Sequence, residues 1–348
     1  MPAPDPGTPP RPLILCAPEP RSLPLIFSPE NLAYLRARYR LHECPQTEIA
    51  LQPPEILAEV RYIIGQPPLD AATLAALPAL RCIFNVESNL LNNMPYDQIF
   101  RRGIHVVTTG AVFAEPVAEL GLGMALALAR SLHTADAAFR TGTEAWGGAG
   151  NTTARLLSGS AIGLIGFGEL GRAMLRVLQG FRATLRIHDP WIAPSLIRAA
   201  GALPASLDDL LGLSDTVFCL ATVTSENQGF LDARAFARMR AGAAFILLSR
   251  AAVVNFDDLA AAVARGHITA ASDVYPTEPL PRDHPIRRLP GFLHSAHRAG
   301  ALDVAFRRMG EMVLEDLTLL DQGLPPMVCK RAERETVARM RSMPVSVN

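Results

Sequence analysis

Lysine is almost missing from this chain. Of its 33 basic residues only Lys330 is lysine and the other 32 are arginine. That scarcity excludes a phosphate-binding loop of the GxxxxGKS/T type and a Tyr-x-x-x-Lys catalytic pair, and it argues against a Schiff-base lysine. Net charge is also missing: 33 acidic residues balance 33 basic ones, so the chain lacks the overall electrostatic footprint of a nucleic-acid binder. The longest apolar run, Leu120 to Ala129, falls short of the roughly 18 residues needed to span a bilayer, and no charged-then-apolar leader opens the sequence. No membrane partner is expected. Five cysteines (Cys16, Cys44, Cys82, Cys219, Cys329) form no CxxC and read as reduced, mostly buried thiols of a cytoplasmic protein. Without HExxH or a close Cys/His pair at zinc spacing, no metal site is expected.

At 348 residues the length suggests about two domains. Residues 1–12 carry six prolines and read as a flexible tail. Short apolar runs then alternate with helical patterns. Strands are predicted at Pro12–Cys16, Val60–Ile64, Leu80–Phe84 and Ile104–Thr108, with helices at Glu30–Leu41 and Tyr96–Arg102. One long apolar helix, about Pro116–Phe139, leads into a glycine-rich loop holding Trp146, which is expected to bury in a dimer arm or under the helix. Six more strands follow, at Ala161–Gly166, Thr184–His188, Thr216–Leu220, Ala243–Leu248, Ile268–Val274 and Phe292–His294. An amphipathic helix, about Leu302–Asp321, comes next, and the tail from Lys330 reads as a helix with a frayed end. This alternation implies an α/β protein with two parallel, doubly wound sheets.

Residues 161–171 read AIGLIGFGELG: an apolar strand, then Gly166-x-Gly168-x-x-Gly171, then a helix. Gly166 permits a tight turn, Gly168 lets the backbone approach a pyrophosphate, and Gly171 lets helix pack on strand. The N–H groups at the helix start, from Glu169 and Leu170, present partial positive charge to phosphates. The next strand ends at Asp189, a carboxylate that suits ribose hydroxyls and repels a 2′-phosphate, so NAD is expected rather than NADP.

In the last third, polar residues stand at the ends of apolar runs: Arg250 after FILLS, Asp273 and Glu278 in SDVYPTEPLP, and His297 in HSAHRAG. These types suit hydride transfer to a 2-oxo acid. Arginine offers a rigid fork for a carboxylate, histidine exchanges a proton with the carbonyl oxygen, and a glutamate holds that histidine. Taken in order, EPVAE (115–119), Trp146, GFGELG with Asp189, TSENQGFLD (224–232), LLSRAAVVNFDDL (247–259), ASDVYPTEPLPRDHP (271–285) and SAHRAG (295–300) make the chain resemble the D-isomer-specific 2-hydroxyacid dehydrogenases.

The resemblance implies a Rossmann NAD-binding domain, residues 116–300, inserted in a flavodoxin-like substrate domain made of residues 1–115 and the returning helix within 301–348. It implies an active site in the cleft, a homodimer, and a small 2-oxo/2-hydroxy acid substrate such as glyoxylate or hydroxypyruvate. Arg250 would bind substrate, Glu278 would pair with the proton donor His297, and Asp273 would contact the nicotinamide carboxamide. Thr222 would join the cofactor set, and Val86, Glu87 and Ser88 the substrate set. The chain departs from the family at Leu247, Thr222 and Ala251, where Asn, Pro and Gly are usual. It departs again at Ala296-His297-Arg298, where Pro-His-Ile is usual.

Some residues keep two roles open. Arg298 either forms a structural ion pair or reaches a second anionic group on the substrate. Asn85, Glu87, Ser88 and Asn89 either hydrogen-bond a hydroxylated substrate or make an exposed polar turn. His294 is expected to pack at a strand end. Two rival functions share the scaffold. A formate dehydrogenase typically has Gln in place of Glu278, which argues against it. An NADH-sensing corepressor would bind a partner peptide and turn over little.

Overall fold

The structure is a computed structural model and describes residues 11–87 and 89–340; Ser88 and most of the proline-rich start lie outside them. Its residues divide into two compact units. One comprises residues up to Val112 together with those from Asp303 onward, and the other runs from Phe113 to Leu302.

In the first unit, β1 (Leu13–Cys16), β2 (Arg40–Glu43), β3 (Val60–Ile64), β4 (Cys82–Asn85) and β5 (His105–Thr108) are parallel, in the order β2-β1-β3-β4-β5. This is the flavodoxin-like order. β1 and β4 are buried throughout, as expected of apolar runs covered on both faces. The predicted Glu30–Leu41 helix ends earlier, at Arg38, because Tyr39 turns extended and feeds β2.

The second unit carries β6 (Ala161–Ile165), β7 (Thr184–His188), β8 (Leu203–Pro204), β9 (Thr216–Cys219), β10 (Ala244–Leu247), β11 (Thr269–Ser272) and β12 (Phe292–His294). Their order, β12-β11-β10-β9-β6-β7-β8, reverses between β6 and β9 and is that of a dinucleotide-binding sheet with one strand added. The two-residue β8 was not anticipated, since a strand that short at a sheet edge carries no periodicity.

The predicted 116–139 helix is two helices, Ala114–Ala129 and Leu132–Thr141. Ser131 adopts the left-handed conformation, φ 50°, between them. The stretch Gly110–Ala129 is long and apolar enough to cross a membrane by length and composition. Here it is a core helix: Val117, Ala118, Gly121, Met124, Ala125 and Leu128 are buried. At Gly121 a Cβ would come within 2.4 Å of Leu248 Cδ1 and 2.7 Å of Met174 Cε, so glycine lets this helix approach the sheet and the Glu169–Leu178 helix.

The chain returns to the first unit through the Asp303–Asp321 helix. Where a helical tail is predicted, β13 (Lys330–Arg331) adds antiparallel to β5, followed by a single helical turn, Arg334–Val337. The cause is Asp316, fully buried on that helix, whose carboxylate accepts the N–H groups of Met327 (2.7 Å), Val328 (2.9 Å) and Cys329 (2.8 Å). Three backbone donors on one carboxylate fix the approach to the sheet edge. Asp316→Ala leaves all three without that partner, and the expected loss is roughly 3 kcal/mol. Thermal unfolding should register it, with faster hydrogen exchange at residues 327–331; unchanged exchange there would refute the clamp.

Candidate active site

β6 runs straight into the glycine turn. Gly166 has φ 95°, and a Cβ on it would lie 2.8 Å from the Ala221 Cα, just past the end of β9. The turn therefore sits at the point where strand order reverses. A Cβ at Gly171 would lie 2.3 Å from the Gly166 oxygen, so only glycine lets this helix start so close to the strand. At Gly168 a Cβ would meet nothing within 4 Å. Packing therefore requires glycine at both flanking positions, while the middle one borders open space. Gly168 is also the N-cap of the Glu169–Leu178 helix and supplies no side-chain cap. The backbone donors of Glu169 and Leu170 thus begin a helix beside that space, an arrangement that fits a pyrophosphate.

Asp189 follows β7. One carboxylate oxygen accepts the Phe167 N–H at 2.7 Å and the other accepts the Trp191 N–H at 2.9 Å. The acidic residue expected to meet ribose thus also ties the phosphate turn to the end of β7. A carboxylate has about four acceptor positions, so two bonds leave capacity for hydroxyl donors. Beyond β9, the Asn227 amide accepts the Thr224 N–H and donates to the Thr222 oxygen, both at 2.7 Å. Asn227 therefore shapes the loop holding Thr222. It lies inside the TSENQGFLD motif, but nothing in the spacing marked it as a loop clamp.

The polar residues of the last third come together within this unit. His297 Nδ1 lies 2.6 Å from Glu278 Oε2, and Glu278 Oε1 accepts the Tyr275 N–H at 2.8 Å. About a third of each partner's side chain is exposed (33% for His297, 32% for Glu278). Burial opposes ionisation of Glu278. The hydrogen bonds from His297 and from the Tyr275 backbone outweigh it, helped by the nearby charge of Arg250, and hold the carboxyl below its usual range. An ionised carboxylate only accepts, so Nδ1 carries the hydrogen and Nε2 remains for a reacting group. Arg250 stands beyond β10, part-buried, with Nη1 donating to the Ser249 oxygen at 2.7 Å.

Asp273 is built into the loop that carries His297. It is 1% exposed, and its two carboxylate oxygens accept the backbone N–H groups of Arg298 (2.9 Å) and Ala299 (3.0 Å). His294 packs at its strand end: its ring stacks on Phe292 and Nδ1 meets the Tyr275 hydroxyl at 2.9 Å. The Arg298 side chain is exposed and makes no ion pair among the described residues.

In the first unit the segment after β4 is not an exposed turn. Asn85 is fully buried; its amide donates to Gln66 Oε1 and to the Asn89 oxygen, and its oxygen accepts the Glu87 N–H. Asn85 is therefore occupied by internal hydrogen bonds. Arg21, which the sequence reading passed over, donates to the Val86 oxygen at 2.9 Å, pairs with Glu87 at 3.5 Å and lies over the Phe306 ring. Its signal is invisible in sequence because its partners are 65 and more positions away. Ser88 lies outside the described residues.

Two outcomes are expected from this geometry. Gly171→Ala forces its Cβ onto the Gly166 oxygen, so NADH binding followed by fluorescence should weaken by about tenfold or more. Glu278 has a lowered folded pKa, so its stabilising effect is complete above the ordinary carboxylate range and disappears as pH falls through the folded value. The melting-temperature gap between wild type and Glu278→Gln should therefore close on acidification. A gap that widens toward acid would contradict the pairing.

Comparison with known proteins agrees with this geometry. Residues 122–299, about half of the chain, match the family described as D-isomer specific 2-hydroxyacid dehydrogenase, NAD binding domain. The chain is 30% identical over 256 residues to a D-3-phosphoglycerate dehydrogenase of Mycobacterium bovis, covering 73% of this chain and 48% of that protein. It thus spans about half the length of the phosphoglycerate dehydrogenases it matches. It is 30% identical over 264 residues to a glyoxylate reductase of Korarchaeum cryptofilum, covering 74% and 79% of the two chains. The crystal structure of a phosphoglycerate oxidoreductase from Rhizobium etli superposes with a TM-score of 0.85 at 64% identity, over 93% of this chain and 99% of that one. With its glycine turn, Asp189 and the His297–Glu278 pair in one unit, the chain belongs to the D-isomer specific 2-hydroxyacid dehydrogenase family, and its cofactor is NAD.

Proposed function

We propose that the protein interconverts a 2-oxo acid and a D-2-hydroxy acid, working chiefly as a reductase. The observation that carries this reading is the 2.6 Å contact between His297 Nδ1 and an ionised Glu278. The dinucleotide, when bound, supplies or accepts the hydride. Gly166, Gly168, Glu169, Leu170 and Gly171 would hold its pyrophosphate, Asp189 its ribose, and Thr222 its neighbouring loop. Arg250 binds the substrate carboxylate and polarises the carbonyl. His297 gives the carbonyl oxygen its proton from Nε2, while Glu278 fixes the ring and balances its charge. The unit formed by residues up to Val112 and from Asp303 serves as the substrate domain.

The substrate in this reading is short and polar, glyoxylate or hydroxypyruvate. A phosphorylated 2-oxo acid is a second reading, favoured by Arg298, whose side chain is exposed and makes no ion pair among the described residues. A panel of 2-oxo acids with NADH and NADPH tests both. NADH-dependent reduction is expected, with His297→Ala losing about 100-fold or more of kcat. Arg298→Ala should weaken dianionic substrates alone; equal loss on every substrate would sink the phosphorylated reading. If wild type reduces nothing on the panel, the reductase assignment falls.

A homodimer and a cytoplasmic location are part of the same proposal. The Leu132–Thr141 helix has no buried residue, and Leu132, Phe139 and Trp146 (75% exposed) are left open, as an arm covered by a second copy would be. Phe139→Glu with Trp146→Glu should convert dimer to monomer in sedimentation, and a wild type already monomeric at micromolar concentration would refute the arm. All five cysteines are free, and burial pushes the Cys219 thiol up to about 12, which suits a reducing compartment.

A further inference from the structure

His297 occupies a backbone conformation that side-chain-bearing residues rarely adopt, with φ 51°. Such a residue persists only where its surroundings over-determine it. Here one residue supplies most of that determination. The His297 N–H donates to the Asp273 backbone oxygen at 2.7 Å. The next two N–H groups, of Arg298 and Ala299, donate to the two carboxylate oxygens of the same aspartate, at 2.9 and 3.0 Å. Three consecutive backbone donors thus converge on Asp273, in the manner of an anion in a backbone nest. Five residues further on, Glu278 holds the His297 imidazole. One short segment therefore grips the histidine twice, Asp273 by its main chain and Glu278 by its ring.

We propose that Asp273 is the positioning residue for His297: its buried carboxylate folds residues 297–299 into the turn that aims the imidazole. The inference rests on the dehydrogenase reading for its consequence but not for its geometry. With both carboxylate oxygens on the main chain and the side chain 1% exposed, Asp273 is built into the loop. Without the clamp the left-handed backbone relaxes, the ring moves relative to Glu278, and proton transfer slows. Displacement by about 1 Å costs on the order of 100-fold in rate.

Asp273→Ala and Asp273→Asn in the full-length protein test this. Hydrogen exchange on the protein without cofactor should accelerate at the amides of residues 297–299 in Asp273→Ala, with the rest of the 113–302 unit unchanged. This reading needs no turnover, so it stands apart from any failure of the reductase assignment. On a substrate that wild type reduces, kcat should fall by about tenfold or more. Substrate KM should stay within about twofold, since no substrate contact is touched. Asp273→Asn keeps one carbonyl acceptor and should fall between wild type and Asp273→Ala. A role through the nicotinamide alone predicts weakened NADH affinity with kcat retained at saturation. That result, or full exchange protection of residues 297–299 in Asp273→Ala, overturns the proposal.

Discussion

The hydrogen bond between His297 Nδ1 and Glu278 is the constraint on which the candidate site depends. The bond is made between the ends of different strands, β11 leading to Glu278 and β12 to His297, which pair in parallel. Parallel pairing brings both carboxyl ends to one end of the sheet, where β10 also delivers Arg250. Because Glu278 stays ionised, the histidine has a defined tautomer before any substrate arrives. The left-handed backbone at His297 costs on the order of 1–3 kcal/mol, and the hydrogen bonds onto Asp273 offset it.

The phosphate turn follows a related economy. Gly166 and Gly171 are demanded by contact with Ala221 and with each other, while Gly168 borders open space. Packing thus explains two of the three glycines without any ligand, and the third is the one a ligand explains. Asp189 belongs to both accounts, because the carboxylate suited to ribose also fixes Phe167. Substitution of that aspartate would release the Phe167 and Trp191 N–H groups and so move the turn itself.

Arginine carries nearly all the positive charge of the chain, and its placements are unequal. Arg308 with Glu311 and Glu315, and Arg140 with Asp136, form exposed helix-surface pairs that add little to stability. Arg21 is different: its side chain is 15% exposed, and it joins Val86, Glu87 and the face of Phe306 in the first unit. A planar guanidinium can stack and donate sideways at once, which a lysine cannot do.

The alternation of apolar runs with helical patterns already determined two doubly wound sheets, because a strand apolar on every residue must be covered on both faces. It also marked the phosphate turn, whose glycines follow one another along the chain, while Arg250, Glu278 and His297 stand out as polar residues at the ends of apolar runs. Boundaries and roles that depend on distant partners were not legible. The break at Ser131 comes from one residue's backbone conformation inside an otherwise uniform apolar pattern. β13 depends on Asp316 capturing residues up to 13 positions later. Asn85 reads as a polar turn residue until Gln66, 19 positions earlier, occupies its amide. Asp273 reads as a site carboxylate, and only the folded chain brings the N–H groups of residues 298 and 299 onto it, 25 and 26 positions on. The sequence by itself determined which chemistry is present, because residue type fixes charge and hydrogen-bonding capacity. Tertiary structure decided which of those groups remain available, because each buried donor or acceptor must find a partner and the nearest partner is set by the fold.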